Sequence, residues 1–156
     1  MSKTEWKSGT FIYPIPAVMV SCGDMEDSNI LTVAWTGILN TNPAKVYISV
    51  RPERFSYEII KSTGEFAINL TTAKLAFATD WCGVKSGAKV DKFKEMNLTK
   101  EKLNHIKCPG IKESPVTIEC RVEEIRKLGS HDTFIADVLS IDADNQYIDE
   151  NGAFDI

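Results

Sequence analysis

Apolar and polar positions repeat with two different periods along this chain, and the switches between them mark out its elements. Ala17-Val-Met-Val-Ser-Cys22 is an almost unbroken β-prone run that ends in the turn pair Gly23-Asp24, and it predicts a strand. Asn29-Ile-Leu-Thr-Val-Ala-Trp35 predicts a second strand, hairpinned onto the first. Lys45 to Arg51 alternates: Val46, Ile48 and Val50 share one face, and Lys45, Tyr47, Ser49 and Arg51 share the other. After Arg51 the period becomes helical. Pro52 suits a first helical turn, Glu53 favours its positive end, Phe55, Ile59 and Ile60 fall on one face, and Gly64 is a stop. Glu65 to Leu70 predicts another strand, and Thr71 or Thr72 caps a helix through Ala73–Trp81 that ends at Gly83. A short helix is expected over Asp91–Met96. Long strands are expected over Pro115–Lys127 and Thr133–Ile141, joined around Leu128-Gly-Ser-His-Asp132. Six or so strands with two or three short helices, not strictly alternating, predict a mostly β protein built on an antiparallel barrel.

Composition narrows the function. The 156 residues carry no repeat or linker and are expected to form one domain, 1–156. A net charge of −4 argues against nucleic acid. The best apolar run, Phe11 to Cys22, is short and broken by Pro14 and Pro16, so no membrane span is expected. The N-terminus alternates charge at Lys3, Glu5 and Lys7 rather than offering a signal peptide, and a cytoplasmic location is expected. Cys22, Cys82, Cys108 and Cys120 form no Cys-x-x-Cys pair, and the two histidines are not spaced as zinc partners. The thiols read as packing residues and no metal site is expected, so redox chemistry would need an external cofactor.

Three segments carry candidate chemistry. At Ser49–Tyr57 two arginines three residues apart, Arg51 and Arg54, precede Ser56 at a helix N-terminus, which makes an anion site. The alternative is a pair of surface arginines held by Glu53 and Glu58. In Asn29–Gly37, Thr32, Trp35 and Thr36 line one β segment beside Asn40-Thr-Asn42, suiting a flat heterocycle rich in acceptors; a core tryptophan beside a polar turn is the plainer reading. Gly83 to Phe93 has glycines, Ser86 and three lysines within reach of phosphate or ribityl hydroxyls, or is simply a solvated loop. It lacks Walker spacing, and no Gly-x-Gly-x-x-Gly supports a Rossmann nicotinamide site. His105 reads as structural or solvated, and His131, beside Asp132 in a hairpin loop, is ambiguous by spacing. No hydrolytic triad can be assembled.

Together these segments resemble the flavin reductase-like family, the FMN-binding split barrels that include flavoredoxin and related ferric reductases. The resemblance rests on Asn29–Gly37, Asn42-Pro43 leading into Val46–Tyr57, Glu65–Leu70, Ser86–Phe93 and Gly129-Ser-His131, in that order along nearly the whole chain. It implies a six-stranded Greek-key split barrel, a homodimer, and FMN at the subunit interface. By position, Arg51, Arg54, Ser56 and Tyr57 should hold the phosphate. Asn29, Thr32, Ala34, Trp35 and Thr36 should line the ring and ribityl chain, with Ser49 and Lys92 as further contacts. His131 should stand where nicotinamide approaches, as the catalytic residue. Two departures concern the substrate side: family members usually continue beyond the 142–152 region, and Ala136-Asp137 stands where a Gly-Glu pair is common.

The expected function is therefore an NAD(P)H-dependent oxidoreductase. Hydride passes from nicotinamide to FMN, and electrons go on to a flavin, ferric iron or another acceptor. The alternatives are a non-enzymatic FMN electron carrier of flavoredoxin type that serves a redox protein, and a small-molecule-binding barrel without turnover.

Overall fold

The computed structural model describes residues 1–154. After an irregular arm over residues 1–17, Val18–Gly23 (β1) and Ser28–Val33 (β2) form the expected hairpin. Gly23 closes its turn at φ +95°, and a Cβ there would sit 2.1 Å from the Asp27 carbonyl oxygen, so the position requires glycine. Thr36–Thr41 (β3), Ala44–Val50 (β4) and the helix Phe55–Thr63 (α1) come next, followed by Glu65–Asn69 (β5). Then come the helices Ala76–Val84 (α2) and Lys92–Glu95 (α3), with a small ribbon made of Lys100–Glu101 (β6) and Gly110–Ile111 (β7). Two twelve-residue strands, Val116–Lys127 (β8) and Asp132–Ala143 (β9), follow. Among the described residues no helix is long and apolar enough to cross a membrane.

The main sheet is antiparallel and has seven strands in the order β2-β1-β5-β8-β9-β4-β3. The mostly β, antiparallel architecture is as expected, with one strand more than six. The extra strand is β3, at the sheet edge. Its Ile38 and Leu39 both face solvent, so no alternation of buried and exposed positions betrays it in the sequence.

The sheet rolls around one core. Leu31 and Val33 of β2 share a buried cluster with Val46, Ile48 and Val50 of β4, although β2 and β4 lie near opposite ends of the strand order. Register shifts at Glu119/Cys120 and Val122/Glu124 bend the long β8 into the curl. Tyr57 and Ile60 of α1 plug the same cluster. Met19 and Ile30 point the other way and pack against Leu75, Cys82 and Phe93, so α2 and α3 lie on the outer face of β1–β2. That two-sided burial is why Ala17–Cys22 reads as an unbroken apolar run.

Helix boundaries shift for local reasons. Helix α1 starts at Phe55 rather than Pro52, because Arg54 is extended (φ −72°, ψ 135°) and residues 51–54 form a turn closed by the Arg54 N–H on the Arg51 carbonyl at 3.0 Å. Gly64, in the left-handed region at φ +69°, ends the helix as expected and donates its N–H to the Ile60 carbonyl. A 3₁₀ turn, Ala73–Leu75, precedes α2, which runs through Gly83 to Val84. Gly83 is a contact point rather than a stop, since a Cβ there would lie 3.1 Å from Thr32 Cβ. All four cysteines are free and buried. Burial pushes the thiols of Cys22 and Cys82 up to about 11, which keeps them protonated and unreactive at neutral pH.

Candidate functional site

The turn between β4 and α1 presents Arg51 and Arg54 to solvent. Neither is in an ion pair among the described residues, and Glu58 pairs with Lys61 at 3.4 Å instead. No side chain caps α1, which leaves its positive end for an anion. Ser56 is buried in the first turn and accepts a 2.8 Å hydrogen bond from Asn29 Nδ2.

Lys92 approaches from the other side. Asp91 caps α3 by accepting the Lys94 N–H, and this fixes Lys92 at the start of the helix. The Lys92 side chain is 3% exposed, and Nζ donates to the carbonyls of Ile30 (2.7 Å) and Cys82 (2.6 Å). Burial, and secondarily Arg54, holds its pKa below the ordinary lysine value. An ammonium has three N–H groups, so one is left for a ligand. Asn29, Arg54, Ser56 and Lys92 thus line one cavity of about 160 Å³, closed by the loop Lys85–Gly87. Gly87 is pressed onto Asn29: a Cβ at Gly87 would fall 2.2 Å from Asn29 Oδ1.

A second cavity of about 170 Å³ continues from the first through Leu31 and Arg54, and is lined by Thr32, Ala34, Trp35, Ser49, Arg51 and His131. Here the Trp35 indole and His131 imidazole lie against each other, with centroids 4.4 Å apart and planes tilted by 38°. Burial first, then the Arg51 guanidinium, lowers the His131 pKa below the usual histidine value. Ala34, Trp35 and Ser49 lead on into a third cavity of about 490 Å³ that also takes in Thr36 and Tyr47 and is covered by the Gly9–Ile15 stretch of the arm. The three cavities, linked by shared lining residues, make up the candidate cleft, cationic at one end and aromatic at the other.

Several hydroxyls in this cleft are already committed as donors. Thr32 Oγ1 donates to the Thr79 carbonyl, and Thr36 Oγ1 to the Tyr47 carbonyl at 2.7 Å. Toward a ligand these threonines can only accept. Ser49 Oγ shares a 2.9 Å hydrogen bond with Thr133 Oγ1, while the Ser49 N–H donates to the Trp35 carbonyl.

Of the residues singled out in the sequence, the structure brings together Asn29, Thr32, Ala34, Trp35, Thr36, Ser49, Arg51, Arg54, Ser56, Lys92 and His131. Tyr57 is the exception. It stands one residue past Ser56 on α1, which turns it into the barrel. There it is 4% exposed, meets Phe134 edge-on, and donates to Asp132 Oδ2 at 2.6 Å. It therefore holds the fold and not a phosphate. Sequence reasoning missed the Tyr57–Asp132 bond, the Gly87–Asn29 contact and the place of Tyr47, each of which depends on segments far apart in the chain. A larger cavity of about 770 Å³, lined by Phe77, Met96, Leu98 and Tyr147, contains none of the candidate residues; with Glu95, Glu113 and Asp144 against the single Lys74 it does not suit an anion.

Comparisons with known proteins agree with this geometry. The family model described as "Flavin reductase like domain" matches residues 10–155. An uncharacterized protein of Archaeoglobus fulgidus is 29% identical over 131 residues, which is 84% of this chain and 73% of that protein. Among solved structures, the flavoredoxin of Desulfovibrio vulgaris (Miyazaki F) is 27% identical with a TM-score of 0.89, covering 99% of this chain and 84% of its own. The flavoredoxin from Methanosarcina acetivorans is likewise 27% identical, with a TM-score of 0.88 and coverage of 100% and 82%.

Proposed function

The chain belongs to the flavin reductase-like family, and from that premise we propose that it is an FMN-binding oxidoreductase. It accepts hydride from NAD(P)H and passes electrons to a flavin, ferric iron or another acceptor. The observation that carries this reading is the row of three cavities linked by shared lining residues. Its cationic end, with Arg54, Lys92 and Ser56 at the open terminus of α1, matches a terminal phosphate. Its wider end, beside Trp35, is the part with room for a flat ring. When bound, the flavin supplies the two-electron redox chemistry.

The chain's own residues then have distinct tasks. Arg51 and Arg54 would hold the phosphate, and Lys92, anchored on two carbonyls, would give it a further cationic donor. Asn29 orients Ser56. Thr32 and Thr36 would offer acceptor oxygens to ribityl hydroxyls, and Ala34, Trp35 and Ser49 would line the ring. His131, on the same wall, faces the nicotinamide side as the catalytic residue. Oriented approach of the two rings is the main catalytic device, and no strong general base is required.

The protein acts as one domain, in the cytoplasm, as a homodimer that buries the flavin between subunits. Phe11, Ile12 and Tyr13, which line the aromatic end of the cleft, and Trp6 and Ile38 elsewhere on the arm and β3 are each at least 70% exposed, the kind of surface a second copy covers.

The test is direct. Purified protein should bind FMN and show a flavin absorbance band that NADH or NADPH bleaches within the mixing time of a rapid-kinetics instrument. The likeness to two flavoredoxins favours a second reading, a carrier that exchanges electrons with a redox protein. Bleaching by a reduced protein partner but by neither nicotinamide would establish that reading, and failure to take up any flavin would overturn both.

A further inference from the structure

His131 is placed where it can register the anion rather than only the incoming nicotinamide. Every charged group around it is identifiable. Arg51, just past the end of β4, and Arg54, in the turn before α1, line the same 170 Å³ cavity. Glu53 in that turn acts weakly in the opposite sense. Asp132, the next residue on β9, is buried and engaged by the Tyr57 hydroxyl. Trp35 covers one face of the imidazole, and Ser130 Oγ lies 3.0 Å from Nδ1.

With no anion present, two guanidiniums and partial burial disfavour a charged ring. A phosphate held on the arginines would offset that repulsion and bring a negative charge to the adjoining cavity, which shares Arg54 with that of His131. An imidazolium is then well provided for: Nδ1–H can donate to the Ser130 hydroxyl, and the positive ring lies on the electron-rich indole face. We propose that His131 takes a proton from solvent when a phosphate settles on Arg51 and Arg54, so that the cleft binds phosphorylated flavin together with a proton and unphosphorylated flavin without one. This inference rests on the FMN reading but concerns the proton linkage of the site, which that reading leaves open.

The sign follows from linkage. Phosphate binding raises the His131 pKa above its value in the free protein. The His131 contribution to FMN affinity is therefore greatest below the free-state pKa and falls as pH rises through the bound-state pKa, by up to about tenfold per pH unit where uptake is complete. Above both values it levels off. By reciprocity, protonated His131 strengthens phosphate binding by the same factor.

The experiment measures binding heats in two buffers of different ionisation enthalpy near pH 7, with FMN and riboflavin, on the wild-type chain and on His131→Asn. Wild type is expected to take up more protons on binding FMN than His131→Asn does, and neither protein is expected to take up any with riboflavin. Comparing the two proteins removes the contribution of the phosphate's own titration, whose pKa is about 6. NMR provides a second readout that needs no variant: the chain has only two histidines, and the His131 ring should titrate at higher pH with FMN or inorganic phosphate than with riboflavin or matched chloride. Tight FMN binding with the same proton count in both proteins, or an unmoved His131 titration, overturns the proposal and leaves the FMN reading standing. Absence of FMN binding overturns the FMN reading, and the inorganic phosphate titration still decides the linkage.

Discussion

Arg54 and Tyr57 stand three residues apart and do opposite work. Arg54 is exposed, outside any ion pair among the described residues, and shared by the first two cavities of the cleft. Replacing it with alanine should weaken FMN binding by about 1.5–3 kcal/mol, the scale of one charge-assisted contact, and barely change riboflavin binding. Fluorescence titration of both flavins measures this, and equal FMN affinities for parent and variant would remove Arg54 from the phosphate. Tyr57 instead ties α1 to β9 through its 2.6 Å bond to Asp132, and the carboxylate's hold on the phenol proton pushes the Tyr57 pKa up to about 12. Tyr57→Phe should lower stability by about 1.5–3 kcal/mol in denaturant unfolding, because a buried carboxylate loses its donor. An unchanged unfolding midpoint would show that Asp132 finds water or another partner.

At the scale of elements, the site depends on close approach between segments far apart in the chain. The loop over residues 85–87 reaches Asn29 on β2 only because Gly87 has no side chain. Gly87→Ala should push the Asn29 carboxamide away and break its hydrogen bond to Ser56. FMN affinity should drop about tenfold, the free-energy scale of one hydrogen bond. The thermal midpoint should move little, because the loop lies outside the main core. A large loss of stability with normal FMN affinity would mean that the contact serves the fold and not the cleft. Lys92 has a similar logic. Its ammonium bridges a β2 carbonyl and an α2 carbonyl, so the short α3 positions a charge that is otherwise built by α2 and β2.

At the scale of the whole molecule, the barrel interior is filled by side chains such as Phe66, Phe134, Ile48 and Ile60, which leaves no room for a flavin inside. A ring in the cleft lies on the outside of the barrel, covered on one side by Trp35 and the arm. The exposed Phe11, Ile12 and Tyr13 of the arm line that opening. Light scattering at micromolar concentration should therefore give twice the 17.4 kDa chain mass. Removing residues 1–13 should weaken both dimerisation and FMN retention. A monomer that keeps FMN tightly bound would separate the site from the interface.

The sequence by itself determined most of the strands, the helix stop at Gly64 and the turn that gathers Arg51, Arg54 and Ser56, because each depends on local period, turn chemistry or nearby charge. Val46, Ile48 and Val50 alternate whatever lies opposite them, and Arg51, Arg54 and Ser56 are neighbours in the chain before they are neighbours in space. It missed β3, whose exposed Ile38 and Leu39 carry no periodic signal, and it misplaced the end of α2 by reading Gly83 as a stop. Only the tertiary structure decided that Tyr57 faces the core while Ser56 faces the cleft, since a single step along a helix turns a side chain by about 100°. Only it brought Lys92 under Arg54 and His131 onto Trp35, because those pairs are joined by the rolling of the sheet and the packing of α2 and α3 on its outer face. Contacts between residues far apart in the chain follow from how the layers close, and that closure is a property of the whole core.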